Sequence, residues 1–512
     1  MSLPTLTLRP RIHDGGLEKE LLAIFGEGAV SGRVEERIAY SRDLWPRGHL
    51  WMRQGRVPYP ADWVVWPTAE QQLVRLVEMA NRLRVPLVPY GAGSGVCGGT
   101  VPVHGGVMVD LKRMSSILSL EERSMLVRAQ GGILGQVLET HLNARGFTMG
   151  HFPSSIYCSS LGGYLATRSA GQLSTRYGKI EDMVIGLKAV LASGEVYETR
   201  AAPRHATGPD LLQLLVGSEG TLGIITEGTM RLHRVPESRR FRGVMFNDIE
   251  GGMEAIRLIL QKELRPAAVR LYDELDTFIV GGKSKQKEKK GFAAFLSKVQ
   301  KSVEYRMLAW PELVGFFEKM LGGSCLLVLA FEGPGELTRL EESLALELCA
   351  GLGGRDLGPE PGKHWWEHRY DVSYRQSPLL EEGYFVDTFE VASTWDHLPT
   401  LYRNVRQALA GKVVVMAHFS HAYVEGCSIY FTFAGKGGDE TATEALYEEV
   451  WRLAMETALA SGATLSHHHG VGMSKAAFMG RQLGSGLDML KKIKKALDPN
   501  DILNPGKLGF SE

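Results

Sequence analysis

Cysteine is scarce in this chain, and its placement suits no framework. Cys97, Cys158, Cys325, Cys349 and Cys427 are scattered over 512 positions without CxxC spacing. This argues against a disulfide scaffold or a thiolate zinc site, and fits reduced thiols. No apolar run reaches the ~18 residues of a membrane span. Neither sign of charge is in excess, with 58 basic and 58 acidic residues. No global field therefore points to nucleic acid. The opening MSLPTLTLRP lacks the basic start and apolar core of a signal peptide, and the closing GFSE is not a peroxisomal tripeptide. A cytoplasmic location is expected.

Glycine, by contrast, is abundant. Its 60 residues exceed the usual ~7 % and gather in a few loops, as expected of loops that wrap a cofactor. The length exceeds one ordinary core, so two or more domains are expected. Residues 1–56 read as a polar lead-in. A short strand at Trp63 is ended by Pro67, and a helix over Glu70–Arg84 follows, with leucine and valine at helical spacing and Thr68 as the expected N-cap. Val85–Tyr90 then reads as a buried strand entering a glycine loop. Further strands near 106–111, 125–129, 183–191 and 223–227 and a helix over Gly135–Ala144 give an α+β domain over 57–237. Residues 238–455 form a second region with strands near 324–332 and 428–434. Residues 456–512 are expected to return to the first domain and the active site. They include an amphipathic helix from Met489, stopped by Pro499 and Pro505. The basic run Lys283–Lys290 reads as a solvated loop or, equally, as a peripheral contact with an anionic lipid surface.

The most informative motif is His467, His468, His469 in TLSHHHGVG. Three adjacent imidazoles are a poor core and a good set of proton carriers. Taken alone, a metal-binding or surface cluster is an equal reading. Four loops add context: Pro89–Gly99, His151–Tyr164, Ala166–Gly171 and Gly217–Glu227. Successive glycines can turn backbone N–H groups toward a pyrophosphate, whereas a lone loop of this kind is more often a tight turn. The first loop fits a Rossmann fingerprint poorly, because no helix follows it. Four such loops in this order in one domain are a stronger signal.

The order and content of these loops resemble the FAD-binding domain of the vanillyl-alcohol-oxidase superfamily, and within it the alkyldihydroxyacetonephosphate (alkylglycerone-phosphate) synthases. The resemblance runs from about Ile38 to nearly the C-terminus. It rests on the TRxxG loop at Thr167, Thr207–Asp210, Gly217–Glu227, Pro266–Asp273, Gly426–Phe431 and Ser466–Gly472. Relatives that oxidise D-2-hydroxy acids carry an acid where this chain has His468.

The resemblance implies an α+β fold: a two-part FAD-binding domain of vanillyl-alcohol-oxidase (PCMH) type, with an α/β cap built on an antiparallel sheet. Cofactor contacts are implied for Pro89, Tyr90, Gly91, Ala92, Gly93, Ser94 and Gly95, and for His151, Ser154, Ser155, Ser159 and Ser160. They are implied too for Thr167, Arg168, Ser169 and Ala170, and for Glu219, Gly220, Thr221, Gly223, Ile224 and Ile225. The active-site tyrosine matches Tyr430, with His467, His468 and His469 as its proton partners. Arg375 and Arg270 match substrate-binding arginines. Ala92, Ser94 and Ser154 depart from the family pattern. The first glycine loop has no histidine, so FAD held without a covalent bond is expected. The implied reaction replaces the fatty acid of 1-acyl-dihydroxyacetone phosphate by a fatty alcohol, through an ether bond and without net oxidation. Imidazolium beside Tyr430 is expected to lower its pKa. A homodimer and no metal are expected. His418 and His421, in HFSH, are an alternative pair of metal ligands, and a FAD-linked dehydrogenase or oxidase of a D-2-hydroxy acid is the alternative function.

Overall fold

A computed structural model describes residues 6, 8–13, 16–284, 323–371 and 377–510. Arg375 and the side chains of Lys283–Lys290 lie outside the described residues. Two compact units emerge. The first comprises Met1–Gly171, Gly178–Arg234 and His468–Glu512; the second comprises Gln172–Tyr177 and Val235–His467.

In the first unit, strands Trp63–Val65, Val107–Asp110 and Leu87–Tyr90 run parallel, and Val30–Ser31 pairs antiparallel with Trp63–Val65. The parallel strands read as unbroken apolar runs because both faces are covered. The helix Glu70–Leu83 buries Leu73, Leu76, Val77, Met79 and Ala80 on one stripe. Together with Leu21, Ile24, Trp63, Leu87, Ile224 and Leu503 these form a single core, each large side chain contributing about 1.5–3 kcal/mol by burial. The N-cap of this helix is Ala69, not the expected Thr68. Gln72 reaches back instead, its Oε1 accepting from Thr68 N at 2.8 Å and Ala69 N at 3.2 Å, so a carboxamide on the third helical residue does the work of a capping hydroxyl.

An antiparallel sheet in the same unit follows the order Ile117–Glu121, Leu126–Gln130, Gly223–Arg231, Val184–Leu191, Val196–Glu198. The C-terminal segment joins the parallel sheet edge, where Leu87 N donates to Ile502 O at 2.7 Å and Asn504 N to Leu87 O at 2.8 Å. This delivers Asn504 and Lys507 to the first glycine loop.

The second unit is built on an antiparallel sheet ordered Arg355–Asp356, Ser238–Phe246, Cys325–Gly333, Ala268–Tyr272, Val414–Ala422, Gly426–Gly435, Phe385–Thr394. Period-2 alternation in Gly426–Gly435 sends Ile429, Phe431 and Phe433 into the core and Tyr430 to the other face. Phe389 stacks on Phe431 with centroids 5.0 Å apart. Behind them Asp387 accepts from Tyr447 Oη at 2.6 Å and Trp451 Nε1 at 2.9 Å, which satisfies a buried carboxylate. No helix among the described residues is long and apolar enough to cross a membrane.

Candidate active site

The loops of the first unit meet through their backbones. Gly93, Gly98, Gly220, Gly470 and Gly472 all have positive φ. A Cβ on Gly91 would overlap Ser160 Oγ, and one on Gly472 would overlap the Cys97 carbonyl. Glu219, itself at φ 50°, ties two loops together: its carboxylate accepts from Val471 N at 2.5 Å and Gly472 N at 2.9 Å. Asn504 Nδ2 bonds Glu219 O at 2.7 Å and Gly99 O at 3.0 Å. Burial pushes the Glu219 carboxyl up, against the two amides and the nearby Lys507 and Lys475. Burial also pulls Lys507 down to about 8.

Several buried polar atoms here have no hydrogen-bond partner among the described residues: Thr100 Oγ1, Ser218 Oγ, His151 Nδ1 and Asn504 Oδ1. Buried polar groups are rarely left so. A cradle of glycine backbone with unmet hydroxyls fits a ligand rich in phosphate and hydroxyl oxygens, as FAD is.

The other expected cofactor residues fall around this cradle in different ways. His151 is buried, its Nε2 2.8 Å from Ser169 Oγ and its ring edge-on to Tyr164, and burial holds it neutral with a pKa near 3. Ser159 Oγ donates to Tyr164 Oη at 2.7 Å. Ser160 caps the helix Leu161–Thr167. Arg168 ends that helix in the left-handed region, with its guanidinium on Val216 O and Gln213 O, both at 3.1 Å. Ile224 and Ile225 are core residues at the start of a strand.

In the second unit, sheet register builds the chemistry. Tyr272, His418, Tyr430 and Glu390 stand in one row on neighbouring strands. The His418 ring lies over Tyr430 at 4.7 Å and 17°. Arg270 donates from Nη2 to His418 Nε2 at 2.6 Å, and His418 Nδ1 lies 3.2 Å from Asp276 Oδ2. Nε2 is therefore the acceptor, and the proton sits on Nδ1. Burial, and then the Arg270 charge, hold His418 well below its ordinary pKa. Both ring nitrogens of His418 are thus engaged by side chains. Arg270 Nε has no hydrogen-bond partner among the described residues.

Tyr430 corrects an expectation. Part of it is accessible, yet close packing desolvates it and Glu390 repels its anion, so its pKa is pushed well up rather than down; Arg270 opposes this less strongly. The phenol stays protonated at neutral pH. His421 Nε2 lies 3.4 Å from Tyr430 Oη. His467, the first of the triplet, is 3.0 Å from Tyr423 Oη through Nε2 and stacks on His421 at 5.3 Å; its N–H bonds Glu390 Oε2 at 3.0 Å. The unit boundary falls within the triplet, between His467 and His468. In the first unit His468 is buried, and its ring centroid lies 4.5 Å from that of His469.

Glu390, Tyr423 and Ser174 were not legible as site residues. The HFSH spacing drew attention to His418 and His421, but it did not reveal their partners, which come from distant strands and helices.

Residues 61–200 match the family model described as FAD binding domain, and residues 235–508 the one described as FAD linked oxidases, C-terminal domain. The first unit thus carries the FAD-binding domain. The chain is 32 % identical over 501 residues to an alkyldihydroxyacetonephosphate synthase from Dictyostelium discoideum, covering 96 % of this chain and 80 % of that one. A solved structure of an alkyldihydroxyacetonephosphate synthase superposes with a TM-score of 0.79 at 28 % identity, covering 99 % of this chain and 87 % of that one. Substrate-bound p-cresol methylhydroxylase shares the fold, with a TM-score of 0.71 at 17 % identity over 100 % of this chain and 99 % of that one.

Proposed function

Because the chain belongs to the alkyldihydroxyacetonephosphate synthase family, we propose that it exchanges the acyl group of 1-acyl-dihydroxyacetone phosphate for a fatty alcohol, giving the alkyl ether without net redox. The observation that carries this reading is the row Arg270–His418–Tyr430. It sets a fixed cation and a protonated phenol on either side of one neutral imidazole. Such a pair suits a phosphorylated ketone that must lose a proton beside its carbonyl.

When bound, FAD supplies a ring that takes up and returns electron density at the three-carbon unit. Residues 89–95, Ser160 and the 217–221 loop hold it, with Thr100 and Ser218 offering hydroxyls. Arg270, whose Nε has no hydrogen-bond partner among the described residues, binds substrate together with Arg375. Tyr430 moves the proton, and His467, His468 and His469 serve as further proton carriers. FAD is held without a covalent bond, so acid or heat releases it into the supernatant; flavin retained on the precipitate contradicts that. A cytoplasmic homodimer touching lipid surfaces through the 283–290 run suits these substrates, and sedimentation with liposome flotation tests it.

The deciding assay incubates pure protein with acyl-dihydroxyacetone phosphate and labelled hexadecanol. Label enters an alkyl product as fatty acid is released. If instead a D-2-hydroxy acid bleaches the flavin and no ether forms, the dehydrogenase reading replaces this one.

A further inference from the structure

We propose that His421, held by Ser174, is the proton partner of Tyr430, and that Tyr430 works as a relay rather than as a free base. The inference rests on the assignment of Tyr430 above and adds two residues to it.

His421 stands out on backbone grounds first. It has φ 53° inside a strand, at the point where the register between Val414–Ala422 and Gly426–Gly435 shifts. A non-glycine residue held this way costs about 1–3 kcal/mol, and such strain gathers at functional sites. The bulge re-aims the side chain. With regular pairing, residue 421 would alternate to the face opposite Ser420. The bulge instead brings its Nε2 to 3.4 Å from Tyr430 Oη.

The other ring nitrogen is fixed as well. Ser174 Oγ lies 2.6 Å from His421 Nδ1, and Thr175 Oγ1, next in sequence, accepts from Ala422 N at 3.2 Å. The helix Ser174–Tyr177 thus grips both the ring and the bulge. With the Nδ1 proton directed at Ser174, the Nε2 lone pair faces the phenol, which is the tautomer an acceptor needs. His421 is 6 % exposed and Ser174 is 1 % exposed, so bulk water does not substitute for either.

A desolvated phenol next to a carboxylate is a poor source of phenolate. It can still pass a proton without ever becoming an anion. As the C–H bond beside the substrate carbonyl breaks, its proton goes to Tyr430 Oη, and the Tyr430 proton goes to His421 Nε2. The electron pair stays on the substrate as an enolate, and His421 becomes the cation. Glu390, which bonds Ser466 Oγ at 3.0 Å and the His467 amide, is the anion on the same sheet face. Return along the same path restores all three groups. Because His421 acts through Tyr430, it is a positioning and relay residue.

The test uses full-length FAD-loaded protein, with flavin content and circular dichroism confirming the fold. His421→Asn suits φ 53° and keeps a hydrogen bond to Ser174, but cannot reach Tyr430. It should lower kcat by about 10²-fold or more with KM unchanged. His421→Gln reaches Tyr430 as a hydrogen-bond partner but takes up no proton, and should be equally slow. His421→Gly tolerates the backbone and leaves an imidazole-sized gap, so added imidazole should restore turnover. Ser174→Ala should cost roughly tenfold at most. Wild-type kcat in His421→Asn, recovery by glutamine, or no response of His421→Gly to imidazole would each overturn the relay. Tyr430→Phe separates the two readings. If it is fully active, the assignment of Tyr430 itself fails; if it is crippled while the His421 variants are active, only the relay fails.

Discussion

The two units solve their tasks with different materials. The first makes a ligand cradle largely from backbone: glycines at positive φ, loops tied by Glu219 and Asn504, and side-chain hydroxyls left unmet among the described residues. The second makes a proton-handling row from side chains, set by which residues face one another across strands. A cradle fails when a side chain is added, whereas a row fails when one is altered. The comparison can be broken at either end.

The largest effect is expected from adding a single methyl to the cradle. Gly472→Ala places a Cβ against the Cys97 carbonyl at φ 50°, with about 1–3 kcal/mol from the backbone alone and a similar overpacking cost. The variant should lose flavin and melt well below the parent. A yellow protein with the parent's Tm would show that this turn is softer than its geometry. Next comes Tyr430→Phe, which removes one oxygen from the row. FAD content should hold while kcat falls roughly 10²–10⁴-fold; parallel losses of flavin and turnover would mean that the row also builds the cradle.

Arg270→Lys keeps the charge but loses the planar fork that reaches His418. The KM for the phosphorylated substrate should rise about 10–100-fold, from a charged hydrogen bond worth about 1.5–3 kcal/mol, with a smaller change in kcat. The smallest effect is a pH slope in stability. Glu139 is buried beside Thr148, Met149 N and Asn143, and burial raises its carboxyl from 4.5 to about 7. The folded state then binds its proton more tightly than the unfolded chain, so this group's stabilisation is full below 4.5 and is lost as pH rises to about 7. Glu139→Gln should flatten that part of the Tm profile between pH 5 and 7; an unchanged slope would assign it to other groups.

The contrast also explains what the sequence could reveal. The strands at Trp63, Leu87, Val107 and Gly223 and the helix from Glu70 were legible because their patterns are local. Glycine loops are legible for the same reason: a positive φ must be written at its own position. Even so, the cap at Gln72 was missed, since Thr68 is as good a local candidate. Tyr430 was reached through resemblance, and its neighbours gave the wrong sign for its pKa. The triplet suggested a lowered value, whereas burial raises it and sheet register brings Glu390 beside it, from 40 positions upstream. Ser174 lies 247 positions from His421, and no local pattern links them. The triplet itself is shared, His467 with the second unit and His468 and His469 with the first, a division that three adjacent letters do not announce.

The most direct test of the account is the stoichiometry of turnover. Pure FAD-loaded protein is given acyl-dihydroxyacetone phosphate and labelled hexadecanol, without oxygen and with an electron-accepting dye present. One fatty acid should be released for each ether formed, no dye should be reduced, and both products should be lost together in Tyr430→Phe. Dye reduction in step with substrate consumption, or ether formation that persists in Tyr430→Phe, would contradict it.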